Sequence, residues 1–175
     1  MLVKCVPVFF IWKKIFDIFF MKVLELYIDG ACQGNPGEAG VGVVVIQHNR
    51  VIKKFSQAIG EATNNIAEYM ALIFGLQEAL MLRADKVKVN TDSELLYYQI
   101  KGEYKIKNPH LRFLHSQAQR LLKGFKSADI HQIPREKNRQ ADALAAQAIE
   151  TPHPKMTAVM LQKQDSKQES LFSDF

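Results

Sequence analysis

Four carboxylates occupy places where an acid is locally expensive. Asp29 ends the largely apolar run Lys22-Val23-Leu24-Glu25-Leu26-Tyr27-Ile28 and is followed by Gly30. Glu68 lies one turn inside a largely apolar stretch, and Asp92 closes the segment Asn90-Thr91-Asp92-Ser93. Asp142 stands amid Ala141, Ala143, Leu144 and Ala145. Taken singly, each reads as a helix cap or a strand-end turn residue. Four of them at the ends of separate core elements read as one site. Carboxylates packed together repel, so a shared site must raise their pKa values or hold cations. An oxygen-only set without His or Cys suits Mg²⁺ or Mn²⁺. Two such ions about 4 Å apart can activate a water and stabilise the leaving oxygen of a phosphodiester.

The elements that must position these acids follow from periodicity. Residues 22–29 read as a first strand. The β-branched run 41–46 and residues 51–59 pair as a hairpin across Gln47-His48-Asn49-Arg50. Residues 63–82 have helical periodicity, with Ile66, Met70, Ile73 and Leu80 on one side and Thr63 or Asn64 as N-cap. Residues 86–91 alternate as a strand. A short helix over 93–100, a lysine-bearing loop over 101–108 and a helix over 109–123 follow. The last strand is 128–133, and the last helix, 138–149, opens on an Asn138 cap. Three adjacent strands followed by alternating helices and strands indicate an α/β domain, a mixed sheet with helices on its faces. In such sheets strand ends and helix starts converge on one edge, where ligands bind.

The chain has 175 residues and is 47% hydrophobic, enough for one domain with a sizeable core and too apolar for a disordered polymer. Two Cys exclude a disulfide scaffold, and no Cys/His spacing suggests zinc. They read as reduced thiols in a cytoplasmic protein. The net charge of +5 is mildly basic, which by itself permits several kinds of partner. Residues 1–20 stand apart, with the only Trp and no small-residue cleavage site. Charges interrupt them too often for a membrane span. Met21 reads as a natural start preceded by an extension; the rival reading is an interfacial helix presenting Phe9, Trp12, Phe16 and Phe19. Residues 21–150 form the domain. Thr151-Pro152-His153-Pro154 breaks the last helix, and 151–175 read as a mobile tail.

The motifs resemble those of type 1 ribonuclease H. Asp29-Gly30-Ala31-Cys32-Gln33-Gly34-Asn35-Pro36-Gly37, with Gly40-Val41-Gly42, is similar to that family's opening motif. Thr63-Asn64-Asn65-Ile66-Ala67-Glu68 resembles its second, Thr91-Asp92-Ser93 its third, and Arg135 through Ala145 its last. All four occur in order across residues 22–150. The resemblance implies a ribonuclease H-like fold with a five-stranded mixed sheet, three antiparallel strands and then two parallel ones, with helices on both faces. It implies endonucleolytic cleavage of the RNA strand of RNA–DNA hybrids, leaving 5′-phosphate and 3′-hydroxyl ends. Asp29, Glu68, Asp92 and Asp142, with Gly30 beside them, would hold two Mg²⁺ ions, with Mn²⁺ as a substitute. A non-catalytic hybrid-binding module, or another nuclease on the same fold such as a junction resolvase or an integrase-like enzyme, are the alternatives.

Recognition of a hybrid requires reading 2′-hydroxyls across a shallow minor groove. By resemblance, Gly34, Asn35 and Gly37 would approach the RNA, Asn64 and Asn65 would contact both strands, and Thr63 would help bind a DNA phosphate. Glu94 stands where relatives often have Gln. Lys101, Lys105 and Lys107, with Tyr104 interleaved, are candidates for gripping DNA phosphates. Long relatives carry a tryptophan-rich basic protrusion after the third acid; here Gly102 to Asn108 is a short loop. Many relatives place a catalytic His before the fourth acid, where this chain has Pro134-Arg135-Glu136-Lys137. His131 and Cys32 read as packed strand residues. The pattern is that of the shorter subgroup, and a monomer without integral membrane association is expected. In the tail, Gln168-Glu169-Ser170-Leu171-Phe172 is similar to the bacterial sliding-clamp-binding pentapeptide, with Gln168, Leu171 and Phe172 as anchors for a groove.

Overall fold

The alternation of the first strand decides the architecture. In β1 (Val23–Gly34), Leu24, Leu26 and Ile28 are fully buried, and Glu25 and Tyr27 between them are half-exposed. The computed structural model describes residues 21–150, so the interfacial helix and the clamp-like segment both lie outside the described residues. β1 pairs antiparallel with β2 (Gly37–Gln47), which pairs antiparallel with β3 (Arg50–Ala62). On its other side β1 runs parallel to β4 (Lys86–Thr91), and β4 runs parallel to β5 (Ser127–Gln132). The order β3-β2-β1-β4-β5 is the expected mixed sheet of three antiparallel and two parallel strands.

The first three strands run longer than periodicity indicates. β1 continues through Gly34, and β2 begins at Gly37, so the Gly34-Asn35-Pro36-Gly37 segment is a tight hairpin turn. The second hairpin turns on His48 and Asn49, whose φ values of 50° and 59° are both left-handed. Two consecutive left-handed residues match the twist of the flanking strands.

Helix α1 (Asn64–Met81) covers the Leu24–Leu26–Ile28 face. Thr63 is its N-cap and accepts from the Ile66 amide. The fully buried residues of α1 are Ala67, Tyr69, Ala71, Leu72, Leu76 and Ala79. Ile66, Met70 and Leu80, three of the four residues singled out by periodicity, are only partly buried. The reason is geometric: α1 is packed between the sheet and another helix, so it has two buried faces and no single apolar stripe. α2 (Glu94–Lys101) and α3 (Pro109–Leu122) lie on the same side, with α3 against α1. α4 (Arg139–Glu150) covers the opposite face over β2 and β1. It comes so close that an added Cβ at Gly42 would meet the Ala141 carbonyl oxygen at 2.1 Å. No helix among the described residues is long and apolar enough to cross a membrane.

Candidate active site

The parallel pairing of β1 and β4 sets the first two acids level with each other. Tyr27 pairs with Asn90, and two residues further along each chain stand Asp29 and Asp92. Pairing of β1 with β4 ends at Tyr27 and Asn90, so the two chains part where the acids begin. Asp29 is buried, 6% exposed, on a strand flanked on both sides. Glu68 reaches the same region from α1 because Gly30 carries no side chain. A Cβ there would lie 2.2 Å from the Ala67 carbonyl carbon and 2.3 Å from the Glu68 nitrogen. Gly30 therefore sets how close the first turns of α1 come to β1. Asp142 arrives from the other face, in the first turn of α4.

The electrostatics follow from this packing. Burial pushes the Asp29 carboxyl up to about 7, helped by the charges of Asp92 and Asp142; Arg135 and the Gly30 amide pull the other way. Burial also holds Glu68 well above the ordinary carboxylate range, with Asp29 and Asp92 adding to the effect. Glu68 is 6% exposed, and its Oε2 is buried with no hydrogen-bond partner. The two buried acids, Asp29 and Glu68, thus both sense neighbouring carboxylates, and Glu68 Oε2 is a buried carboxylate oxygen without a protein donor. An oxygen-only donor set of this kind fits a hard divalent ion. Among the described residues, however, no three His, Cys, Asp or Glu side chains form a ready-made cage. The two outer acids are held by protein donors instead. Asn138 Nδ2 donates to Asp92 Oδ1 at 2.6 Å, and Arg135 donates to Asp142 Oδ1 at 2.8 Å.

Asn138 is the site residue that sequence reasoning assigned to a different task. Its backbone carbonyl accepts from the Ala141 and Asp142 amides, so the helix start is satisfied without the side chain. The side chain is buried, 1% exposed, and its amide also donates to the Ile28 carbonyl at 2.9 Å. It spans the opening between β1 and the residues after β4. The signal was the adjacency of an amide to a capping position, which reads equally well as a cap.

The remaining candidate residues form two further groups. In the first, Asn35 Oδ1 accepts from the Asn64 amide at 3.2 Å, tying the Gly34–Gly37 turn to the start of α1. Gly34, Asn35, Asn64 and Asn65 are exposed, and Thr63 and Gly37 are partly exposed, so they make one lip. Cys32 underlies it; it is the packed strand residue expected, half-buried against Ala39, Ala62 and Ala67, with its thiol within hydrogen-bonding distance of the Gly34 and Ala62 carbonyls. In the second group, Glu94 opens α2 two residues beyond Asp92 and accepts from the Tyr104 hydroxyl at 3.1 Å. Tyr104 stacks on Tyr98 at 4.7 Å between ring centres, which docks the 102–108 loop against α2. Lys105 and Lys107 are exposed on that loop, and Lys101 sits over Tyr97 at 5.9 Å. The expected packing of His131 is not found: it is exposed on β5, an edge strand.

A five-stranded sheet with this order, flanked by helices and carrying four acids at one edge, defines a ribonuclease H-like domain. Residues 27–148 match the Reverse transcriptase-like family. The bifunctional protein Rv2228c of Mycobacterium tuberculosis is 44% identical over 132 residues, 74% of this chain and 36% of that protein. The chain thus spans about a third of the length of that curated relative. The crystal structure of RNase H1 from the halophilic archaeon Halobacterium salinarum is 39% identical with a TM-score of 0.72, covering 73% of this chain and 98% of that one. LC11-RNase H1 in complex with an RNA/DNA hybrid is 38% identical with a TM-score of 0.68, covering 73% and 96%. The chain belongs to the type 1 ribonuclease H family. Members of this family generally depend on divalent metal.

Proposed function

We propose that this protein is a divalent-metal-dependent endoribonuclease that hydrolyses the RNA strand of RNA–DNA hybrids to 5′-phosphate and 3′-hydroxyl ends. The observation that carries this reading is the meeting of two buried acids, Asp29 and Glu68, with Asp92 and Asp142 at one sheet edge. Buried carboxylates that repel one another are stable as anions only with a cation among them. The four carboxylates would together seat a pair of Mg²⁺ or Mn²⁺ ions, with the Gly30 backbone beside them. Such ions supply Lewis acidity and an activated water.

The chain's own residues do the rest. Asp29 and Glu68, fixed by strand and helix, hold the inner positions. Asp92 and Asp142, more exposed, complete the set: Asn138 steadies Asp92 through Oδ1, and Arg135 yields the Asp142 oxygen it holds. The lip of Gly34, Asn35, Gly37, Thr63, Asn64 and Asn65 offers backbone and amide groups, the chemistry that reads 2′-hydroxyls in a shallow minor groove. Glu94, Lys105 and Lys107 border the path of the DNA strand, the lysines meeting phosphates. The hybrid bound to LC11-RNase H1 supports the same ligand class for this chain.

The test is cleavage of an end-labelled hybrid with and without Mg²⁺ or Mn²⁺, beside duplex DNA and branched DNA. Metal-dependent cutting of the RNA strand is expected, and Asp29→Asn should abolish it while retaining hybrid binding. Metal-independent cutting, wild-type rates in Asp29→Asn, or a preference for branched DNA would overturn the proposal.

A further inference from the structure

Among the ion pairs Lys53–Glu78, Lys88–Glu25, Lys126–Asp85 and Arg135–Asp142, the last alone involves a site acid. Arg135 opens a single 3₁₀ turn, Arg135–Lys137. That turn is anchored from below: the Asn138 amide donates to the Arg135 carbonyl at 2.9 Å, and the Asn138 side chain is clamped to Ile28 and Asp92. The backbone is therefore fixed, whereas the Arg135 side chain is 75% exposed and touches Asp142 through a single nitrogen at 2.8 Å. Asp142 is itself 39% exposed, so the pair lies at the mouth of the site.

We propose that Arg135 is a tethered counter-cation that holds Asp142 in the metal-free protein and gives it up when a divalent ion seats among the carboxylates. The inference rests on the metal-centre reading above. The physical logic is a contest for one oxygen. A guanidinium is planar and always charged, suited to pairing from the side. It is too large to enter a space between carboxylates that a compact divalent ion can fill. A one-point pair in an exposed position is weak and salt-sensitive, so it is displaceable. Before displacement, its charge offsets part of the mutual repulsion: it acts on Asp29 and Glu68 as well as on Asp142. Arg135 thus keeps the metal-free fold tolerable and, by the same charge, weakens the first binding of metal.

The size follows from Coulomb's law. A unit charge roughly 6 Å from a divalent ion, at a near-aqueous dielectric, changes affinity on the order of tenfold at low salt. The change shrinks as salt rises. The test uses the full chain stripped with EDTA and contains no nucleic acid: calorimetric titration with Mg²⁺, and separately with Ca²⁺, of wild type, Arg135→Gln and Arg135→Lys. Arg135→Gln is expected to bind metal about tenfold tighter in low salt, and Arg135→Lys to stay close to wild type. In EDTA, Arg135→Gln is expected to melt below wild type and to regain the difference on saturating Mg²⁺. Equal or weaker metal binding by Arg135→Gln, or a folded wild type that binds neither ion at millimolar concentration, overturns the proposal. If metal binds as described and no hybrid is cut, the nuclease reading fails and this one stands. If hybrid is cut and the Arg135 variants bind alike, the reverse holds.

Discussion

Replacing Asp29 by Asn should make the metal-free protein more stable, and the effect should depend on pH in a defined direction. In the fold the Asp29 carboxyl keeps its proton up to about pH 7, mainly through burial and the charges of Asp92 and Asp142, against a usual value of 3.8. In the unfolded chain the proton leaves near the usual value. Between these two limits the folded state binds more protons, so its stability falls as pH rises and levels off above pH 7. A difference of about three pKa units at roughly 1.4 kcal/mol each sets an upper limit of about 4 kcal/mol on this cost at high pH. Asn has nearly the same shape and no charge, so it escapes that cost and also relieves Glu68. The assay is thermal unfolding in EDTA from pH 4 to pH 9. At pH 4 the two proteins should melt close together. At pH 8 the variant should melt higher, on the order of 10 °C at the upper limit, using roughly 2–4 °C per kcal/mol. Saturating Mg²⁺ should then stabilise wild type and leave the variant nearly unmoved. An Asp29→Asn protein that melts at or below wild type at pH 8 in EDTA, or a gap that ignores pH, would refute the electrostatic account of the site.

Two further substitutions probe how the acids are positioned. Gly30→Ala places a methyl 2.2 Å from the Ala67 carbonyl carbon, against backbone that cannot swing aside. The strand and α1 must part, at about 3 kcal/mol or more, and Glu68 moves with the helix, so a variant that still folds should lose metal affinity by calorimetry. Asn138→Ala removes hydrogen bonds to the Ile28 carbonyl and to Asp92. It should cost roughly 2–3 kcal/mol in denaturant unfolding and raise the metal concentration needed for cleavage, since Asp92 loses its anchor.

What could be read from the residues, and what could not, divides along physical lines. The sheet was legible because β4 opens on the alternation Lys86-Val87-Lys88-Val89, with both valines buried, and because the β-branched run 41–46 and residues 51–59 flank the short 47–50 turn. The four acids were legible because a charge at the end of an apolar element is costly, and four such costs in one chain call for a common reason. α1 was legible as a helix but not in its orientation: a helix buried on two sides carries no single stripe, so Ile66 and Met70 stood out although they are only partly buried while Ala67 and Leu72, among others, are fully buried. His131 was misplaced for the complementary reason, since β5 is an edge strand and one face of it meets water.

Asn138 and Arg135 were illegible as parts of the site because their roles arise from an opening that exists only in three dimensions. β1 and β4 stop pairing after Tyr27 and Asn90, which leaves the Ile28 carbonyl without a strand partner just where Asp29 and Asp92 emerge. A buried carbonyl must find a donor, and the residue below α4 supplies one. The same side chain then has a second N–H for Asp92, while the backbone carbonyl of Asn138 accepts from the Ala141 and Asp142 amides in place of a side-chain cap. Anchoring the turn at Asn138 in turn fixes where Arg135 starts, three residues earlier and over the mouth of the site. The parting of the strands thus makes room for the carboxylates and also recruits the donors that hold them in the absence of metal.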